Sequence, residues 1–264
     1  MDLAFRPRRA TEIVDASIRL YRRHFGTFIT LSVLAALPTL LMRLAGIGLA
    51  SGGTSGAGLG LVAAAGLLAG PLYLAYATVV SGAFAALSDD AVQTDAPDVG
   101  HAVRRGVRRA WACLGALLLF GLAFGAAALL FLLPGLYVAA RLATVVPTVV
   151  VEHVGPVDGI QRAWARSRGH AWHSLAVVLV CVLVLFVPMI GAGAVSALFA
   201  GPQAAAGPRV VAALLDTALS VLVQPLFPLA TQLLYYDLRV RADGYDLEQM
   251  VGALGGAPAA PAGA

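Results

Sequence analysis

Three stretches of this chain, 25–88, 112–151 and 173–236, are each too long and too apolar to be a single element of a soluble domain. One helical membrane crossing takes about 20 residues for a hydrocarbon core near 30 Å. Drawn out as one straight helix, even the shortest of the three would be about 60 Å long. Each must therefore fold back as a hairpin, which makes six spans. Composition points the same way. The 264 residues are 59% hydrophobic and 12% charged, where a soluble domain is about 45–50% apolar and about 25% charged.

The return points are marked by turn chemistry. SGGTSG (51–56), Pro134-Gly135 and AGPQAAAGP (200–208) break the three blocks. The spans then read 25–49, 57–87, 111–133, 136–151, 173–199 and 209–236. The second is overlong and is expected to tilt, or to kink at Gly70-Pro71. The chain divides into an N-terminal amphipathic segment (1–24), a membrane domain (25–236) and a tail (237–264), whose Gly/Ala/Pro end is expected to be disordered. The fold class is all-α and polytopic.

Every one of the eighteen basic residues is arginine, and nearly all lie in 1–24, 88–110, 152–172 and the tail. With six spans these four segments share one side. The positive-inside rule puts that side, and both termini, in the cytoplasm. A net charge of +4 thus reflects topology rather than nucleic-acid binding. Trp111, Trp172, Tyr235 and Tyr236 fall at the same boundary, where amphipathic rings favour the headgroup layer. A short arginine-bearing amphipathic segment precedes each hairpin. In the first, Val14, Ile18, Tyr21 and Phe25 share a stripe and Asp15 precedes Arg19 by four residues. In the second, Val99, Val103 and Val107 form the stripe, and in the third Ile160 and Trp164. The pattern is three copies of an interfacial helix plus two spans. The arginines off these stripes, Arg104, Arg105, Arg108, Arg109, Arg162 and Arg166, are expected to meet anionic lipid headgroups at about 1 kcal/mol each.

Arg43, Arg141, Asp216 and Gln224 stand out as polar residues well inside spans. An unpaired charge at mid-bilayer costs about 2.5–3.5 kcal/mol on insertion scales. Arginine can snorkel out, whereas aspartate is too short. Counted from the outer ends of spans four and six, Arg141 and Asp216 lie at one depth, which predicts an Arg141–Asp216 ion pair joining hairpins two and three, with Arg43 able to join. Gly66/Gly70 and Gly121/Gly125 fit small-xxx-small helix packing. Prolines interrupt spans one, two, four and five at Pro38, Pro71, Pro147 and Pro188.

Motifs for catalysis are missing: no HExxH, GxSxG, P-loop, GxGxxG or CxxC occurs. Cys113 and Cys181 sit in apolar segments without metal spacing, so neither a disulfide, a metal nor another cofactor is expected. His170 and His173 read as solvated boundary residues, and Asp98, after Pro97, as a helix N-cap. Asp89, Asp90 and Asp95 read as a solvated loop.

Four segments carry a family resemblance: FRPRRATEIVDASIRLYRRHFGTF, LLPGLYVAARLATVVPTVVVE, GPVDGIQRAWARSRGHAW and LLYYDLRVRADGYDLE. Over roughly 5–249 the chain resembles the bacterial glycerophosphoryl diester phosphodiesterase membrane domain family, related to YciC-like membrane proteins. The resemblance implies an all-helical multi-pass domain that sometimes accompanies a phosphodiesterase catalytic domain. The residues of that catalytic domain are missing here, so no activity carries over. The expectation is a non-enzymatic membrane protein supporting envelope or lipid-related processes or a partner enzyme. The rival is a transporter or lipid-handling carrier that uses the intramembrane charges and Pro-interrupted helices.

Overall fold

A computed structural model describes residues 9–51, 56–199 and 205–243. The turns expected at 51–56 and 200–208 lie largely outside these, as do Arg6, Arg8, the side of Gly66 and the tail from 244. Among the described residues all regular structure is helical, in ten elements. They are α1 (Ala10–Arg23), α2 (Phe25–Ser51), α3 (Gly56–Gln93), α4 (Val99–Leu130), α5 (Leu132–Leu142), α6 (Val145–Val151), α7 (Pro156–Arg166), α8 (Ala171–Phe199), α9 (Ala206–Val223) and α10 (Leu226–Asp243). Six helical stretches are long and apolar enough to cross a membrane: Phe25–Gly48, Gly70–Gln93, Val99–Leu130, Leu132–Val151, Ala171–Gly191 and Ala206–Ala242. Large apolar side chains such as Leu122, Leu129, Leu133 and Val187 stand exposed around them. A soluble protein rarely leaves so continuous an apolar surface open, whereas a hydrocarbon solvent asks for one.

The breaks between helices follow proline chemistry more closely than the sequence reading allowed. The turn expected at Pro134-Gly135 falls earlier, at Phe131, whose backbone is extended (φ −163, ψ 154). Proline is well tolerated in the first turn of a helix, where its missing N–H is an orphan anyway. Pro134 therefore sits inside the start of α5 rather than in the turn. Gly135 follows because the return is tight: a Cβ there would lie 2.9 Å from the Ala128 side chain. The fourth span is interrupted at Ala143–Thr144 and the sixth at Gln224–Pro225. At the second break the carbonyl of Leu222 accepts a hydrogen bond from the Tyr21 hydroxyl of α1 at 2.9 Å. A backbone acceptor freed within the apolar zone is thus satisfied from outside its own helix, as such a solvent requires.

Close packing uses different glycines from those expected. Nothing stands within 4 Å of a Cβ built on Gly70, Gly121 or Gly125. The close crossing is between α3 and α4, where a Cβ on Gly106 would come within 2.6 Å of the Val79 carbonyl and 2.7 Å of the Ala83 nitrogen. Gly82 faces it from α3. Accordingly Ala102 and Gly106 form the buried stripe of α4, while Val107, expected on that stripe, is exposed. On α1 the buried face is Ile13, Val14, Ser17, Leu20 and Tyr21. It packs with Val177, Cys181, Leu233, Leu234 and Leu238 of α8 and α10, so protein covers it. The Asp15–Arg19 pair forms at 2.6 Å. Helix α2 lies chiefly against α9 and scarcely touches α3.

Candidate functional site

Two polar regions emerge, at opposite levels of the bundle. The first is at the arginine-rich end and is organised by α10, which packs against α1, α3 and α8 and also reaches α6 and α7. Successive residues on a helix project about 100° apart. Three consecutive side chains, Tyr235, Tyr236 and Asp237, therefore reach three different neighbours. The Tyr236 hydroxyl donates to Asp89 Oδ1, which also accepts from Gln93 Nε2 at 2.7 Å and Gln232 Nε2 at 3.2 Å. Arg105 spans the two adjacent acids of α3, meeting Asp89 Oδ2 at 3.1 Å and Asp90 Oδ1 at 2.9 Å. His101 Nδ1 reaches Asp90 Oδ2 at 2.9 Å. A planar guanidinium suits such a bridge because its donors are held in a fixed fork.

Tyr235 donates to Glu152 Oε1 at 2.9 Å. The same carboxylate takes Arg162 at 2.8 Å and a close contact from Arg166. These arginines lie four apart on α7 and so share one face. Burial alone would raise the Glu152 pKa. The hydrogen bonds from Arg166 and Arg162, the Arg166 charge and the Tyr235 hydroxyl outweigh it and hold the carboxyl below its usual range. Asp237 Oδ2 meets His173 Nε2 at 2.9 Å and Arg241 Nε at 2.8 Å.

This end corrects several expectations. Asp89 and Asp90 are not in a solvated loop: α3 continues through them to Gln93, and Asp89 is 4% exposed. Tyr235 and Tyr236 are not boundary aromatics but are buried, at 1% and 3%. Trp111 and Trp172 do stand open, at 83% and 81%. His173 holds a carboxylate rather than solvent. Of the six arginines assigned to lipid headgroups, Arg105, Arg162 and Arg166 are turned to buried acids, and Arg109 donates to the His153 carbonyl at 3.0 Å. Arg104 and Arg108 remain exposed on the same α4 face as Trp111. Asp98 caps α4 as expected, accepting from Gly100 and His101 backbone nitrogens at 3.3 and 2.9 Å.

The missed residues share one signal. Asp89, Asp90 and Glu152 stand at the very ends of apolar runs, and Gln232, Tyr235 and Tyr236 lie inside or beside one. A short acid there has the same need for donors that was recognised for Asp216. Applied uniformly, that rule points to Arg105, Arg162 and Arg166 as partners.

The second region, in the other half of the bundle, holds Arg43 and Asp216; Arg141 lies instead against α7, on the side of the first region. Arg141 and Asp216 do not meet. Helix α7 folds back beneath α5 and gives Arg141 another set of partners. Its Nε donates to Ser167 Oγ at 3.0 Å, one Nη to the Tyr137 hydroxyl at 3.1 Å and the other Nη to the Trp164 carbonyl. Its guanidinium carbon lies 3.8 Å from the Trp164 ring centroid, a desolvated cation–π contact. Equal depth on two spans was the wrong criterion, because α9 packs on α2 and α8. Asp216 instead accepts from Ser196 Oγ at 2.8 Å and faces Arg43 Nη1 at 3.5 Å.

Beside Arg43 a cavity of about 820 Å³ opens between α2, α3, α8 and the α9–α10 break. Its walls are largely apolar, among them Ala35, Ala77, Val80, Phe84, Leu185 and Met189. Among the described residues Arg43 is the charged one lining it, and Gln224 and Tyr73 add polar groups. The Tyr76 hydroxyl on the same wall is occupied by the Ala35 carbonyl.

Among the described residues no cluster of three or more His, Cys, Asp or Glu could hold a metal ion. The two cysteines are free and buried. Fold and polar regions together define a class, the multi-pass α-helical membrane protein. Comparison goes no further than the class: no family model, no curated protein and no solved structure matches the chain.

Proposed function

We propose that this chain is a non-enzymatic, lipid-handling protein of the bacterial inner membrane, with its arginine-rich end and both termini in the cytoplasm. In this reading it is built as three hairpins, each introduced by an amphipathic helix at the inner surface. The arginine distribution supports the orientation. The resemblance to the membrane domain that accompanies phosphodiesterases is consistent with work on lipid or envelope components, without supplying a reaction. The anionic headgroup partners on the cytoplasmic side narrow to Arg104 and Arg108, flanked by Trp111.

The observation that carries the lipid-handling reading is the cavity beside Arg43. Its size falls within the roughly 300–1,000 Å³ of ligand sites, and mostly apolar walls with a few placed polar groups are what such sites have. The spans around it are the Pro-interrupted ones, Pro38 on α2, Pro71 on α3 and Pro188 on α8, together with the α9–α10 break. The cavity opens toward lipid, since Leu41, Met42, Leu72 and Tyr73 beside it are exposed.

Native mass spectrometry on protein released gently from the membrane tests this. A lipid-sized adduct should co-purify with the intact protein. Ala77→Trp, which fills the cavity, should remove it, and Leu129→Trp on a remote exposed face should not. An adduct pattern identical in all three proteins would refute the reading.

A further inference from the structure

Resting on the lipid-handling reading of the cavity, we infer that its occupant is an anionic bilayer lipid, and that Arg43 exchanges Asp216 for the lipid's headgroup oxyanion on binding. Arg43 is the lining residue that sets the charge of the site, for no acid faces the cavity among the described residues. Its hold on Asp216 is a single contact at 3.5 Å. Charge-assisted bonds from a guanidinium to a carboxylate are ordinarily about 2.7–2.9 Å, and the Arg105 contacts at the other end of the bundle are 2.9 and 3.1 Å. A guanidinium offers five N–H donors, so most of those on Arg43 have no acceptor among the described residues.

The Arg43 side chain is 55% exposed, so its remaining donors stand open to a ligand. A phosphate-type oxyanion presents two oxygens at the spacing a guanidinium fork matches. Exchange leaves the aspartate its shorter contact, the Ser196 hydroxyl at 2.8 Å, with its side chain 32% exposed. The Gln224 amide and the Tyr73 hydroxyl have no hydrogen-bond partner among the described residues, although both line the cavity. They supply second contacts for the ester or hydroxyl groups below a headgroup. The apolar wall of Val80, Phe84, Leu185 and Phe227 accepts an acyl chain. The bilayer is the source, since the cavity is rimmed by exposed apolar residues: Leu41 is 65% and Leu72 73% open.

The experiment measures binding of dodecyl phosphate and of dodecanol to the intact protein in neutral detergent, with inorganic phosphate as a third arm. The wild-type protein should prefer dodecyl phosphate by about tenfold or more, in the range of a charge-assisted contact. Arg43→Gln should erase that preference while dodecanol still binds, and Arg43→Lys should keep part of it. Asp216→Asn, which removes the competitor, should tighten dodecyl phosphate by about threefold to tenfold. Phosphatidylglycerol, but not phosphatidylcholine, should displace dodecyl phosphate.

A full preference in Arg43→Gln, or weaker dodecyl phosphate binding in a folded Asp216→Asn, overturns the exchange. Binding of inorganic phosphate as tight as that of dodecyl phosphate overturns the amphiphile, and failure of phosphatidylglycerol to compete overturns the bilayer source. Ala77→Trp separates the two levels of inference. If it blocks both alkyl probes while the Arg43 variants leave the preference intact, the cavity stands and the exchange falls. If it blocks neither, the cavity reading falls as well.

Discussion

The two halves of the bundle treat charge in opposite ways. At the arginine-rich end, Asp89, Asp90, Glu152 and Asp237 are each met by at least two donors, and every one of these acids is held by a cation. In the other half Asp216 has one hydroxyl and one distant arginine, beside an open cavity. Saturated groups fix geometry, because any movement leaves a buried charge bare. Under-used groups leave room for a ligand to complete them. The difference separates a part built to hold position from a part built to receive something.

The sharpest way to break this contrast is to remove one acid from each half. Asp89→Ala takes the acceptor from three neutral donors and leaves Arg105 with Asp90 alone; it should cost about 3 kcal/mol, since each orphaned buried donor costs about 1–3 kcal/mol. Asp216→Ala should cost about 1 kcal/mol, in line with polar contacts between membrane helices. Thermal unfolding of both variants in one detergent ranks them, and equal losses would erase the contrast.

Glycine substitutions come next. Gly106→Leu forces apart the α3–α4 crossing that positions Asp89 against Arg105. It should lose about 1–3 kcal/mol, as overpacking does. Gly121→Leu, at a site with nothing nearby, should stay within about 0.5 kcal/mol.

Acidification, with Glu152→Gln as the control, probes one acid of the saturated half. The Glu152 carboxyl has a folded pKa below its ordinary value near 4.5. Its contribution is therefore fully present above about pH 4.5 and is lost as pH falls through the lowered folded value. The difference in melting temperature between the wild-type protein and Glu152→Gln should hold steady from neutral pH to about pH 5.5. Below that the melting temperature should drop more steeply in the wild-type protein than in Glu152→Gln.

The smallest effect belongs to the exposed arginines. Arg104→Gln with Arg108→Gln should leave stability in neutral detergent within about 0.5 kcal/mol. It should remove about 1 kcal/mol per residue of the preference for anionic over zwitterionic lipid. Arg105→Gln should do the reverse, losing stability rather than lipid preference.

The spans, their number and the crowding of arginine at one end were legible because length and hydropathy depend on no partner. Local capping was legible for the same reason, as at Asp98 and in the Asp15–Arg19 pair. Pairings across the bundle were not. Arg141 and Asp216 looked matched in depth, yet depth says nothing about which helices are neighbours, and α7 supplied Arg141 with Trp164 and Ser167 instead. The arginines that looked free for lipid were judged by their own helix face. The acids that claim Arg105, Arg162 and Arg166 come from α3 and the end of α6, a fact that periodicity cannot carry. Gly106 was passed over because its helix was read for a valine stripe, while the stripe that matters has the smallest side chains. Gln224 and Arg43 were singled out for their polarity, but a cavity between five helices has no linear signature.

Helix α10 lies last in the described chain, yet it closes bonds begun by helices far earlier. Asp89, Glu152 and His173 are already synthesised when Tyr236, Tyr235 and Asp237 leave the ribosome. Until then the first carboxylate has only part of its donor set. Assembly is therefore ordered in time as well as in space: the earlier helices stay unlocked until α10 has been made, and three neighbouring side chains then fasten them.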